Sequence, residues 1–350
     1  MSKTMRGLVK ETAGSGKLVY RTDLPIPEPG DDEVLIKVHC SAICGTDMHI
    51  AEWDKWSQIH AKAPLVIGHE TAGDIIAVGR NVTERKVGDR VSCESHIPCN
   101  HCWFCDHGMK HICKNMKLFG VSVPGAFAEY ACIRWDCTFP LNDSLSYEAA
   151  CMFEPMGAGV HGVEAAEVAG KTVLVSGCGP IGLTAISACK VFGAKLVIAC
   201  DLLDQKLEIA REMGADVTLN SGSCDLPTEI RALTDGLGCD LVIETAGTEI
   251  TTRQAIQMTR KGATIVLVGY SKSGEMTLPM SLALDKELTF KTVFRYRHIY
   301  PMAIDAVASG RVNLKGIVTD IFDFDDIQNA MDGSVADKAN IVKAVVKIAK

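Results

Sequence analysis

Along residues 1–150, apolar and polar positions alternate in short runs: GLVKET, DEVLIKVHCSA, AGDIIAVG, DRVSCES and FAEYACI. Gly, Pro, Asp and Asn punctuate them. Period-two alternation between such breaks predicts half-buried β-strands. This part of the chain is expected to be β-rich, a distorted barrel. Near Ala149 the pattern changes, and AACMFEPMGAGVHGVEAAEVA carries small and apolar residues at helical spacing. Beyond it, apolar runs (TVLVSG, KLVIACD, CDLVIETAG, ATIVLVGY) alternate with helical segments (PIGLTAISACKVFG, LLDQKLEIAREMG, TEITTRQAIQMTRKG). Continuous apolar strands alternating with amphipathic helices predict a parallel sheet covered on both faces. The chain therefore reads as α/β, with a doubly wound domain over 155–290 and a β-rich domain over 1–154 and 291–350. The last segment belongs with the first because NIVKAVVKIA reads as a strand that returns to it. ATIVLVG and the following MTLPMSLAL are expected to pair between subunits.

Composition narrows the function classes. The chain has 350 residues, 47% apolar and 23% charged, enough for two cores. Net charge is −7 with no basic block, which argues against nucleic acid as a partner. No apolar run approaches the ~20 residues that span a bilayer, so no membrane partner is expected. The N-terminus lacks the apolar core of a secretory leader. Fifteen cysteines, an odd count scattered along a long chain, fit free thiols and metal ligands better than a disulfide framework. The expected location is a reducing cytoplasm.

TVLVSGCGPIG places Gly177, Gly179 and Gly182 in G-x-G-x-x-G spacing. The motif alone is weak, but here it follows a predicted strand and opens a predicted helix. The glycines allow a tight turn, close approach to a pyrophosphate, and packing of helix on strand. Free N–H groups at the helix start then face the phosphates. Asp201 closes the next strand, where a carboxylate binds a ribose 2′-OH and repels a 2′-phosphate. NAD is the expected cofactor. Pro180, Ile181 and Lys206 complete the near side of its site. Val268, Gly269 and Tyr270, with Phe294 and Arg295, follow later strands and are expected beside the nicotinamide.

Two sets of residues suit metals. CNHCWFCDHGMKHIC carries Cys99, Cys102, Cys105 and Cys113. Four thiolates close a tetrahedron round zinc and leave no open position, so the site is structural. An iron–sulfur loop has a last gap of about three residues followed by Pro; here the gap is longer and Lys114 follows. The second set is dispersed: Cys44, Asp47 and His49 in AICGTDMH, His69 and Glu70 in VIGHE, and Glu154 in FEP. Thiolate, imidazole and carboxylate make an open zinc site.

GHETAGDIIAVGRNV (68–82), ICGTDMH, the four-cysteine loop and SGCGPIG follow one another as in the medium-chain zinc-dependent alcohol dehydrogenases, and the resemblance covers essentially the whole chain. It implies a GroES-like catalytic domain joined to a Rossmann coenzyme domain. It implies a catalytic zinc on Cys44 and His69, with Glu70 or Glu154 as third ligand, and a structural zinc on the four cysteines. VFRYRHIYPMAIDAVASGRVNLKGIVT (293–319) resembles the polyol dehydrogenases, where Arg295 and Tyr296 would line the substrate pocket with Glu154. IAEWDKWSQ and SHIPCNHC resemble L-threonine 3-dehydrogenases, including His96. The implied reaction is reversible hydride transfer from a secondary alcohol to NAD, giving the ketone. Thr46, two residues past Cys44, and His49 form the expected proton path. A homo-tetramer or homo-dimer is implied. The rival readings are threonine or another amino alcohol or diol as substrate, and a zinc-free reductase or binding protein on the same fold.

Overall fold

The computed structural model describes residues 4–16, 18–271, 274–314, 316–337 and 340–349. The chain forms two compact units, Met1–Glu154 with Val318–Lys350, and Pro155–Ile317.

Strand Glu33–Ala42 is the spine of the first unit. It pairs antiparallel with Glu70–Val78, Tyr130–Arg134 and Lys343–Lys347. The sheet runs on through Arg90–Cys93 to Thr138–Pro140 at one end and through Lys343–Lys347 to Val318–Asp323 at the other. The alternation seen in DEVLIKVHCSA has its expected result. Val34, Ile36 and Val38 are buried together with Ile75, Val91 and Ile133 in one core. A smaller sheet joins Val19–Pro25, Thr4–Lys10 and Leu65–Val66. The final strand does return to the first unit, where Val345 stands opposite Ala42.

The second unit holds a parallel sheet in the order Val217–Asn220, Leu196–Asp201, Thr172–Ser176, Cys239–Glu244, Thr259–Leu267, Thr289–Thr292. This is the dinucleotide-binding order, with the reversal beside Thr172–Ser176. Val173, Leu174, Val197, Ile198, Leu241, Val242 and Ile265 are buried, as a sheet covered on both faces requires.

Two expectations change. Residues 291–317, expected with the first unit, pack in the second. TFKT forms an edge strand, Thr289–Thr292, laid parallel on Thr259–Leu267. The chain crosses back at Val318. ATIVLVG is an interior strand with both edges hydrogen-bonded, and the second half of MTLPMSLAL lies in helix Met280–Asp285, while residues 276–279 lie outside any strand or helix. No helix among the described residues is long and apolar enough to cross a membrane.

Candidate metal and cofactor sites

Cys44 is the N-cap of helix Gly45–Glu52. Its backbone N–H donates to Asp47 Oδ2 at 2.9 Å, which fixes the turn. His69 is delivered by Gly68, whose φ of +94° lies in the region that favours glycine. A Cβ on Gly68 would stand 2.7 Å from the Phe127 ring. Glu70 then opens strand Glu70–Val78 opposite Ala42. The donor atoms of Cys44, His69 and Glu70 fall within 4.8 Å of one another. His69 and Glu70 are buried and Cys44 is half-buried.

Two further charged groups press on this cluster. Asp47 is fully buried, with Oδ1 3.4 Å from His69 Nδ1. Lys343, at the start of Lys343–Lys347, donates from Nζ to Glu70 Oε1 at 2.6 Å and lies 2.5 Å from Oε2. Burial opposes the charge on Lys343, but Glu70 and Cys44 outweigh it and hold the ammonium above its ordinary pKa. Burial lowers His69, yet Asp47 and Cys44 raise it further, leaving it well above its usual value. The donor set of thiolate, imidazole and carboxylate, gathered in one largely buried cluster, suits zinc with one position left open.

Glu154, the other expected ligand, stands outside this group. It lies in the first turn of helix Phe153–Ala166 and accepts from Ser95 Oγ at 2.5 Å. Thr46 is beside the cluster, its Oγ1 3.7 Å from Cys44 Sγ. His49 is one turn further along the same helix, half-exposed, with Nδ1 2.7 Å from Asp54 Oδ2. His96 is buried in the short strand His96–Ile97, 3.7 Å from Glu94 Oε1.

The four loop cysteines converge. Cys102 Sγ is 3.5 Å from Cys105 Sγ and 3.7 Å from Cys113 Sγ, and Cys113 Sγ is 3.5 Å from Cys99 Sγ. A disulfide needs about 2.05 Å. A zinc tetrahedron with arms of ~2.3 Å has sulfur–sulfur edges of ~3.8 Å. Backbone N–H groups of Cys99 and Asn115 point at Cys113 Sγ, 3.3 and 3.4 Å away. An N–H from Cys105, against the cost of burial, draws the Cys102 thiol down to about 6. Burial and the neighbouring thiols Cys102 and Cys113 push Cys105 the other way, up to about 12. His107 turns away to the Trp103 carbonyl at 2.7 Å.

In the second unit, Gly179 caps helix Pro180–Val191, with Pro180 and Ile181 in its first turn. A Cβ on Gly182 would lie 1.9 Å from the Gly177 carbonyl oxygen, so only glycine fits. Asp201 ends its strand and accepts from the N–H groups of Cys178 at 2.7 Å, Leu202 at 2.8 Å and Leu203 at 3.1 Å. Its carboxylate thus pins the glycine turn to the neighbouring strand end. Lys206 lies in the following helix, Asp204–Glu212. Val268 and Gly269 donate to the Glu244 carbonyl, and Tyr270 is exposed. Phe294 is half-exposed with the Arg295 guanidinium 4.5 Å over its ring. Tyr296 is buried, its ring where a Cβ on Gly157 would lie.

Lys343 and Ser95 escaped the sequence reading. Ser95 left no signal. Lys343 left a faint one, a single charge opening the apolar run AVV.

Residues 30–143 match the family model described as alcohol dehydrogenase GroES-like domain, and residues 180–309 match the one described as zinc-binding dehydrogenase. An L-threonine 3-dehydrogenase of Symbiobacterium thermophilum is 42% identical over 77% of this chain and 76% of its own length. A sorbitol dehydrogenase of Bacillus subtilis is 37% identical over 92% of each chain. An alcohol dehydrogenase from Escherichia coli CFT073, solved with NADH, superposes with a TM-score of 0.90 at 29% identity, covering 99% of this chain and 100% of that one.

Proposed function

The chain belongs to the zinc-dependent medium-chain alcohol dehydrogenases, and from that premise we propose that it oxidises a secondary alcohol of the polyol class to the ketone, reversibly, with NAD. The observation that carries the reading is the convergence of the Cys44, His69 and Glu70 donor atoms, all within 4.8 Å of one another. Zinc bound there would supply Lewis acidity that lowers the pKa of an alcohol, and NAD would accept the hydride. Cys44, His69 and Glu70 are the residues that would hold the ion, and Cys99, Cys102, Cys105 and Cys113 a second, structural one.

The protein's own residues then position and move protons. Asp47 faces His69 Nδ1 and orients the imidazole through it. The Thr46 hydroxyl would accept the substrate's proton as it releases its own toward solvent, with His49, paired with Asp54, as the imidazole that takes that proton onward. Glu154, held by Ser95, and His96, beside Glu94, are assigned to the substrate's other hydroxyl groups. In the second unit, Gly177, Gly179, Pro180, Ile181 and Gly182 bind the pyrophosphate. Asp201 and Lys206 take the adenosine ribose. Val268, Gly269, Tyr270, Phe294 and Arg295 serve the nicotinamide half.

A second reading, L-threonine as substrate, is favoured by the 42% identical relative and by the carboxylate of Glu94 beside His96, which suits an ammonium group. A panel with NAD separates the two: sorbitol, xylitol, galactitol, arabinitol, butanediol and L-threonine. Polyol turnover supports the first reading. Threonine turnover without polyol turnover establishes the second. No NADH from any secondary alcohol overturns both.

A further inference from the structure

Residues 294–299 follow the edge strand Thr289–Thr292 in an uncommon backbone. Arg295 has a φ of +60° and His298 a φ of +55°, both in the left-handed region that favours glycine. A residue with a Cβ keeps that conformation only where its surroundings impose it, and such places gather at ligand clamps. Helix Phe153–Ala166 supplies the constraint at two points one turn apart, Gly157 and His161. The Tyr296 ring is buried against Gly157, where a Cβ would come within 2.4 Å of it. His161 Nδ1 lies 3.0 Å from the Arg295 carbonyl oxygen. A carbonyl only accepts, so Nδ1 carries the proton and donates it. Gly157, His161 and residues 294–299 all belong to the second unit. Beside this latch, Phe294 stays half-exposed under the Arg295 guanidinium.

We propose that His161 is a positioning residue for Arg295: its Nδ1–H holds the Arg295 carbonyl and, with the Tyr296 ring on Gly157, fixes the left-handed turn that presents Phe294 and Arg295 to the nicotinamide half of NAD. This rests on the reading of Phe294 and Arg295 as part of the cofactor site. The device needs one tautomer. A neutral His161 ring must keep its proton on Nδ1, because the hydrogen bond at one ring nitrogen sets which of the two is protonated. It also needs the donor at one place. Asparagine puts its amide nitrogen near the Nδ1 position of histidine, and glutamine puts its own near Nε2. The first should hold the carbonyl and the second should not.

The test uses the full-length chain as parent, H161N, H161Q and R295A. Without cofactor, NMR of nitrogen-labelled histidine reads the tautomer at a pH where the ring is neutral, and the signals missing from H161N identify His161. Nδ1 protonated is the expected result. Nδ1 bare with Nε2 protonated overturns the proposal. NADH affinity is then read by fluorescence titration. Kd rises about tenfold in H161Q, the order of one lost hydrogen bond, and stays within about twofold of the parent in H161N. R295A also binds NADH more weakly. With R295A weakened, equal Kd values in H161N and H161Q overturn the proposal, because a general loss of packing would not tell the two amides apart. If H161Q does not fold, the tautomer decides alone. Parent-like affinity in R295A is a different failure, that of the cofactor reading, and the tautomer then still decides whether His161 holds Arg295.

Discussion

Cys44, His69 and Glu70 meet because a cap, a left-handed glycine and a strand start are each set locally. Spacing alone gave a weak signal for this set, and the resemblance to the zinc-dependent dehydrogenases picked out Cys44, His69 and Glu70; pairing of Ala42 with Glu70 then brings the two segments together. Lys343 was not legible, since its partner is fixed by strand pairing across the chain's two ends. The choice between Glu70 and Glu154 was also left open, and Ser95 shows why, because a hydroxyl that holds a carboxylate elsewhere has no signature. Thr46→Val is expected to slow alcohol oxidation by about 100-fold, the scale of a lost proton-transfer group, while Thr46→Ser keeps most of the rate. Equal rates in both variants would remove Thr46 from the proton path. A second residue-scale outcome concerns pH. Asp240 Oδ2 accepts from the Thr172 N–H at 2.8 Å, and Oδ1 accepts from Arg260 Nε at 2.7 Å. Burial raises this carboxyl, but those partners lower it further, so it sits below its ordinary value. A depressed carboxyl stabilises the fold above its unfolded pKa of about 3.9, and that contribution is lost as pH falls through the folded value. Asp240→Asn should therefore cost about 1 kcal/mol at neutral pH. Thermal midpoints of parent and variant should converge below about pH 4.

At the scale of elements, hydrophobic period did most of the work. Apolar runs located the interior parallel strands, and alternation located Glu33–Ala42 and Glu70–Val78. The period gave no signal at Thr289–Thr292, a four-residue edge strand with Phe290 as its one apolar residue. The glycine turn tests the second unit. Gly182→Ala puts a Cβ against the Gly177 carbonyl, so the turn must open. The KM for NAD should rise by at least ~10-fold, equivalent to about 1.4 kcal/mol of lost binding. An unchanged KM would detach that turn from the cofactor. The cysteine loop tests the first unit. Cys102→Ser should lose one metal ion per chain and lower the thermal midpoint. Hydride transfer in the folded fraction should persist, because a closed four-thiolate site has no place for substrate.

At the scale of the whole chain, the first unit is discontinuous, built from Met1–Glu154 and Val318–Lys350. The sequence pointed to the return of the last strand but placed the crossover too early, since residues 293–317 carry no sheet pattern of their own. The order of the parallel sheet leaves Val217–Asn220 and Thr289–Thr292 as its edges. A homo-dimer or homo-tetramer is the expected assembly, and a monomeric mass by light scattering would reject it. The central claim is that one chain carries two zinc sites of different kinds, a dispersed one for chemistry and a dense one for structure. Metal content of the purified chain beside its Cys44→Ser variant tests it most directly. About two zinc ions per parent chain, falling to about one in the variant with NAD-linked alcohol oxidation abolished, is the predicted result. Zinc absent from the parent, or content and activity both unchanged in the variant, would contradict it.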